Sequence, residues 1–253
     1  MEKVIHVEGL SVKIDDREIL SDVSFSALKG EITVIIGGSG SGKTTILRHL
    51  LGLDHSERGY ISVLGKNISG SQEGEMNEMY HQLGVFYQNG ALITSMTVGE
   101  NVAMPLVHQS NLPKPLVKDI VMMKLGLVNL KEAYNLYPSQ LSGGMLKRVA
   151  LARAIAMDPP LIFCDEPGAG LDPVSLKSLD NLILNLRDFL GISIIMITHE
   201  VSSILRIADR IIFLDKGTVK YEGKTKEALS SDIQEVKEFF SVLDTEHAIN
   251  QKS

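Results

Sequence analysis

The run Gly37-Gly38-Ser39-Gly40-Ser41-Gly42-Lys43-Thr44 sets a lysine and a threonine at a fixed offset behind a glycine-rich segment. An apolar stretch at 32–36 precedes it and the helical spacing of 46–51 follows. A strand before and a helix after is the context in which this pattern cradles nucleotide phosphates. Glycines let the backbone fold into a concave nest whose N–H groups converge on phosphate oxygens, and the helix adds the positive end of its dipole. Lys43 is then placed for the β- and γ-phosphates, the Thr44 hydroxyl for Mg²⁺, and Thr45 joins the nucleotide-binding set from the first helical turn. A flexible Gly/Ser linker shares the composition but would not hold Lys-Thr at this offset. The chemistry implied is binding of a nucleoside triphosphate.

Two further groups carry charge chemistry. Asp165-Glu166 closes a continuous apolar run, which suits one carboxylate on a metal and the next orienting or deprotonating an attacking water. A turn acid after a strand is the ordinary alternative, and the phosphate loop upstream weighs against it. Leu141-Ser142-Gly143-Gly144-Met145 leads into the helical run 146–157, so Ser142, Gly143 and Gly144 form a second place where helix amides and dipole favour an anion. By spacing alone it is also a helix cap with Ser142 as N-cap. One triphosphate does not need two such sites from one chain.

As an ordered set these motifs resemble the ATP-binding cassette family, the nucleotide-binding subunits of ABC transporters, over about residues 4–229. The resemblance implies roles for further residues. Gln88 matches the Q-loop glutamine that touches Mg²⁺ and water and senses the membrane partner. Leu141 to Met145 matches the signature, and Asp165-Glu166 the Walker B aspartate and catalytic base. Gly170-Leu171-Asp172 matches the D-loop, and His199 the histidine that contacts the γ-phosphate. It also implies that the signature of one copy caps ATP held by the phosphate loop of another, which accounts for the second anion site. A separate transmembrane permease and a location on the cytoplasmic face of the inner membrane, held there through the permease, are implied in the same way. The adenine-stacking aromatic of the family falls on Ile14, whose aliphatic face can pack on the base without aromatic stacking. Met145 stands where glutamine is commonest. That exchange, with 88–92 and 96–106, resembles the subfamily that powers lipid transport with MCE-type proteins; a small-solute importer is the alternative.

The elements that must position these groups read as follows. Short apolar runs at 4–7 and 19–25, separated by Asp15-Asp16 and Ser21-Asp22, suggest a small antiparallel β region. Strands are expected at 32–36, 60–64, 83–87, 161–165 and 192–198, the last two buried on both faces. A helix should run from Pro173 to about Leu190, and 211–214 with 218–221 should form a hairpin turning at Gly217. Between 90 and 158 the spacing is helical, punctuated by Pro105, Pro113, Pro115 and Pro138. The expectation is one α/β domain over 1–253 of the P-loop NTPase class. A RecA-like parallel sheet core and an antiparallel β subdomain come from 1–89 and 159–230, an inserted helical subdomain from 90–158, and a C-terminal helix and tail from 231–253.

A net charge of −6 over 253 residues argues against nucleic acid as a partner, because backbone binding needs a basic face. Hydrophobic content of 44% is ordinary for a globular chain, and no apolar run approaches a membrane span. Cys164, the only cysteine, lies in an apolar run and reads as a buried small hydrophobe. His6, His49, His55, His81, His108 and His247 lack metal-ligand spacing. Lys147-Arg148 with Arg153 read as ordinary surface or interface pairing. The methionines between 76 and 123 read as core. Two soluble rivals lack their marks. A DNA- or ribosome-acting ATPase of this kind carries coiled coils or two cassettes, and a GTPase needs an Asn-Lys-x-Asp motif.

Overall fold

The computed structural model describes residues 2–55, 58–69 and 73–241. In chain order these form β1 (Lys3–Ile14), β2 (Arg17–Leu28), β3 (Ile32–Gly37), α1 (Lys43–Leu50), β4 (Arg58–Val63), β5 (Lys66–Asn67), α2 (Glu73–Tyr80) and β6 (Leu83–Phe86). There follow α3 (Val98–Gln109), α4 (Lys114–Leu127), α5 (Gly143–Ala154), β7 (Leu161–Asp165), α6 (Pro173–Leu190) and β8 (Ser193–Ile197). The chain closes with α7 (Val201–Ile207), β9 (Arg210–Asp215), β10 (Thr218–Lys224), α8 (Thr225–Ala228) and a helix over 234–241. Leu243, His247 and the polar tail from Asp244 lie outside the described residues. The chain divides into two compact units, 1–71 with 197–253, and 72–196.

In the first unit β1 and β2 pair as one antiparallel hairpin, turning on Asp15 and Asp16, both at positive φ (48° and 61°). That two-residue loop matches the twist of its flanking strands. Ser21-Asp22, expected to be a turn, instead lies inside β2. Asp22 at φ 51° is a bulge beside a register shift, so the ladder bends and continues. β1 also pairs with β4, and β4 with β5, giving an antiparallel sheet in the order β2-β1-β4-β5. Beside it, β3 runs parallel to β9, and β9 pairs antiparallel with β10 through a Lys216-Gly217 turn. Every residue of β3 is buried. The helix over 234–241 packs on this sheet: Val236 is buried, and the Phe239 ring meets Phe213 edge to face at 5.7 Å.

In the second unit β7 stands between β8 and β6, and β6 runs parallel to β7. The apolar continuity of β7 and β8 follows from burial on both faces. α6 begins on Asp172, whose carboxylate accepts the amides of Val174 and Ser175, and ends on Gly191 in the left-handed conformation. Pro113 and Pro115 start α4, as expected of residues whose missing N–H is harmless in a first turn. Pro105 does not punctuate: α3 runs through it, held by buried Val102 and Leu106 on either side. Of the methionines, Met76 and Met79 are core, whereas Met123 is exposed.

Candidate functional site

In the first unit the phosphate loop leaves β3 through a clamp that only glycine passes. Gly37 has φ 149°, and a Cβ there would stand 2.1 Å from the Leu214 carbonyl oxygen on β9. Gly42 has φ 103°, and its Cβ would meet Leu20 Cδ2 at 2.5 Å. The loop between them is tied down where the Gly217 amide donates to the Ser41 carbonyl at 3.2 Å. Gly38, Ser39 and Gly40 remain exposed, with open space where Cβ atoms of the two glycines would be. The Lys43 ammonium reaches back over the loop, donating to the carbonyls of Gly37 (2.9 Å) and Gly38 (2.8 Å). α1 begins at Gly42 with no side-chain cap, so the amides of Lys43, Thr44 and Thr45 open its N-terminus. Thr44 is exposed, and the Thr45 carbonyl accepts from Nδ1 of buried His49 at 2.8 Å. Ile14 is exposed at the edge of the β1–β2 turn, and His199 is exposed just after β8.

The second unit carries the other expected residues: Gln88, Ser142, Gly143, Gly144, Asp165, Glu166 and Asp172. Asp165 ends β7 half-buried, and burial first, then the adjacent Glu166 charge, raises its carboxyl above the ordinary range. Glu166 follows at φ 45°, a backbone conformation that non-glycine residues rarely hold and that recurs at functional sites. Ser142 caps α5, its hydroxyl accepting the Met145 amide at 3.3 Å, with Ser142 and Gly143 both exposed. The helix cap that the sequence offered for Ser142 is therefore present.

Lys147 and Arg153 are a correction to the sequence reading. Neither is a surface pairing residue; both are only 8% exposed. Lys147 donates to the Gln88 carbonyl, and its ammonium lies 5.7 Å from the Phe86 ring centre. Arg153 donates to the carbonyls of Ala91 and Gly90, each at 2.7 Å. Burial lowers the pKa of both side chains, the Glu166 charge acting the other way on Lys147. Arg148 is half-buried and joins α5 to α6 through the Ser178 hydroxyl at 2.7 Å. The hint in the sequence was three cations, Lys147, Arg148 and Arg153, in a helix whose other residues from 149 to 154 are buried and apolar. Next to the loop they hold is an open groove of about 410 Å³, lined by Tyr87, Ala91, Met104, Pro105, Gln109 and Met157 among others.

The donors that the sequence reading expects for a divalent cation are the Thr44 hydroxyl in the first unit and, in the second, the Asp165 carboxylate and the Gln88 amide. All are hard oxygen donors of the kind Mg²⁺ takes alongside phosphate and water. Among the described residues there is no group of three or more His, Cys, Asp or Glu that could hold a metal by itself. No helix of the described residues is long and apolar enough to cross a membrane.

Residues 20–169 match the family described as ABC transporter. The intermembrane phospholipid transport system ATP-binding protein MlaF of Haemophilus influenzae is 40% identical over 94% of this chain and 90% of its own length. The probable ribonucleotide transport ATP-binding protein mkl of Mycobacterium tuberculosis is 36% identical over 94% of this chain and 66% of its own. A dimeric ATP-binding cassette in a post-hydrolysis state with ADP and Pi superposes with a TM-score of 0.78 at 28% identity, covering 87% of this chain and 98% of that one. The P-loop NTPase architecture expected from the sequence is the architecture found.

Proposed function

This chain belongs to the ABC transporter family as an ATP-binding, ATP-hydrolysing subunit, and we propose that it drives a separate permease that moves phospholipid with an MCE-type partner. Likeness to a phospholipid-transport ATPase over nearly the whole chain supports that cargo. The alternative is a small-solute importer, for which the ribonucleotide-named relative speaks.

The catalytic unit is two copies placed head to tail. The observation that carries this is the uncovered N-terminus of α5. Ser142 and Gly143 are exposed, and this chain's phosphate loop already supplies one complete anion cradle. In the pair, residues 37–45 of one copy hold the triphosphate, Ile14 packs on the adenine, and Ser142, Gly143 and Gly144 of the other copy close over the γ-phosphate. Thr44, Asp165 and Gln88 would hold Mg²⁺, which would supply neutralisation of phosphate charge. Glu166 orients or deprotonates the attacking water, His199 contacts the γ-phosphate, and Asp172 of the D-loop belongs to the nucleotide-binding set. Closure passes through the 87–91 loop to a short permease helix seated in the adjoining groove, and the protein works at the cytoplasmic face of the inner membrane, held there through the permease.

Glu166→Gln is expected to bind ATP, trap the closed pair and lower turnover by about 10²–10⁴-fold. Wild-type turnover in that variant would remove Glu166 as the base. ATPase activity per chain should also fall on dilution to monomer; constant activity would overturn the two-copy site. For cargo, the membrane complex recovered through this chain should transfer labelled phospholipid between vesicles in an ATP-dependent way. ATP-dependent uptake of a nucleotide or other small solute, without lipid transfer, would favour the alternative.

A further inference from the structure

α5 starts at the Ser142 cap and runs unbroken to Ala154, so the helix that presents the signature amides also carries Lys147. About 6 Å of helix separates Gly143 from Lys147. The Lys147 ammonium is withdrawn from solvent and donates to the backbone carbonyl of Gln88, across 59 residues of sequence. It also rests against the Phe86 ring at the end of β6 and lies within reach of the Glu166 charge. Burying an ammonium is costly, and an apolar side chain of the same length would fill the space without that cost. What the charged donor adds is a fixed distance between one helix and one carbonyl. Arg153, six residues on, holds the Gly90 and Ala91 carbonyls of the same loop and keeps it from swinging about that single bond.

We propose that Lys147 is a positioning residue: through its bond to the Gln88 carbonyl it sets the Gln88 loop against Glu166. A displacement of the signature end of α5 thereby reaches the water-orienting pair along one rigid helix. This rests on the reading above in which Gln88 and Glu166 act on metal and water. A partner copy closing on Ser142 and Gly143 would then move Gln88 without touching it.

The test uses the full chain and four variants: Lys147→Met, Lys147→Gln, Gln88→Ala and the double variant Lys147→Met/Gln88→Ala. Lys147→Met should lose about tenfold or more in kcat while KM for ATP stays within about threefold and the melting temperature holds. Lys147→Gln, which keeps a donor for the carbonyl without the charge, should recover part of the loss. The double variant should be no slower than Gln88→Ala, because both changes disable one unit. Wild-type kcat in Lys147→Met, a loss that tracks a lowered melting temperature, or losses that multiply in the double variant would each overturn the proposal. If Lys147→Met fails to fold, the same comparison made with Lys147→Gln decides it. Impaired Gln88→Ala beside unimpaired Lys147→Met removes the coupling alone, whereas wild-type Gln88→Ala removes the role of Gln88 and the coupling with it.

Discussion

The side chain of Asn101 and the backbone of Ile93 exchange two hydrogen bonds: the Ile93 amide donates to Oδ1 at 2.7 Å, and Nδ2 donates to the Ile93 carbonyl at 3.0 Å. Nδ2 also reaches the carbonyls of Met96 (3.2 Å) and Thr97 (3.0 Å), and Asn101 is fully buried. One amide thus satisfies the turn that brings the chain from the Gln88 loop into α3. Thr97 and Glu100 complete the entry with a reciprocal capping box. Asn101→Leu keeps the bulk but takes the acceptor from the Ile93 amide and the side-chain donor from the Met96 carbonyl, while the Ile93 and Thr97 carbonyls keep the backbone amides of Met96 and Asn101. It should lower the unfolding free energy by about 3 kcal/mol. Urea denaturation checks this; a loss below about 1 kcal/mol would mean that the turn is held by the capping box instead.

Gly37 tests the clamp on the phosphate loop. Alanine would have to hold φ 149° with its Cβ 2.1 Å from the Leu214 carbonyl oxygen, so either the end of β3 or the end of β9 must move. Gly37→Ala should cost about 3 kcal/mol or more and weaken ATP binding in parallel, because both depend on the same backbone. Thermal melts with and without Mg-ATP separate the outcomes. Normal nucleotide stabilisation of a less stable protein would show that the cradle tolerates the shift.

How much of this was legible in the sequence depends on where each contact partner sits. The phosphate loop was legible because the geometry it needs is local: glycines, a lysine and a following helix within eight residues. The Ser142 cap was legible for the same reason, accepting an amide three residues on, whereas the cap that Asp172 makes on α6 was not read from the sequence. Strands β7 and β8 showed as unbroken apolar runs. Lys147 and Arg153 were not legible, because their acceptors are backbone carbonyls 59 to 63 residues away and a carbonyl has no residue type. Asp22 misled for a related reason. Its type favours turns, but pairing on both sides absorbed the positive φ as a bulge.

Asp172 gives a pH signature. Its hydrogen bonds, first from the Ser175 side chain and then from the Ser175 amide, hold its carboxyl below the ordinary value. A lowered folded pKa contributes stability that is present above the unfolded pKa and is lost as pH falls through the folded one. Asp172→Ala should therefore have a lower urea midpoint than the wild type at about pH 7, and the gap should shrink at about pH 3. A gap that does not change with pH would mean that the carboxylate charge takes no part in capping α6.

Cys164 supplies a reporter for opening of β7, the strand that ends at Asp165. Burial, and then the Asp165 charge, pushes its thiol up to about 12. The thiolate is the reacting species, and at pH 7 a group with that pKa is ionised in only about one molecule in 10⁵. A small disulfide reagent should therefore fail to label the native chain over a period in which the urea-unfolded chain labels completely. Labelling in native buffer should track the population of the open form and slow further with Mg-ATP, since ligand binding lowers that population. Equal rates for the native and unfolded chains would show that β7 is accessible in the folded protein. The strand that fixes Asp165 and Glu166 could not then be the rigid base that their chemistry requires.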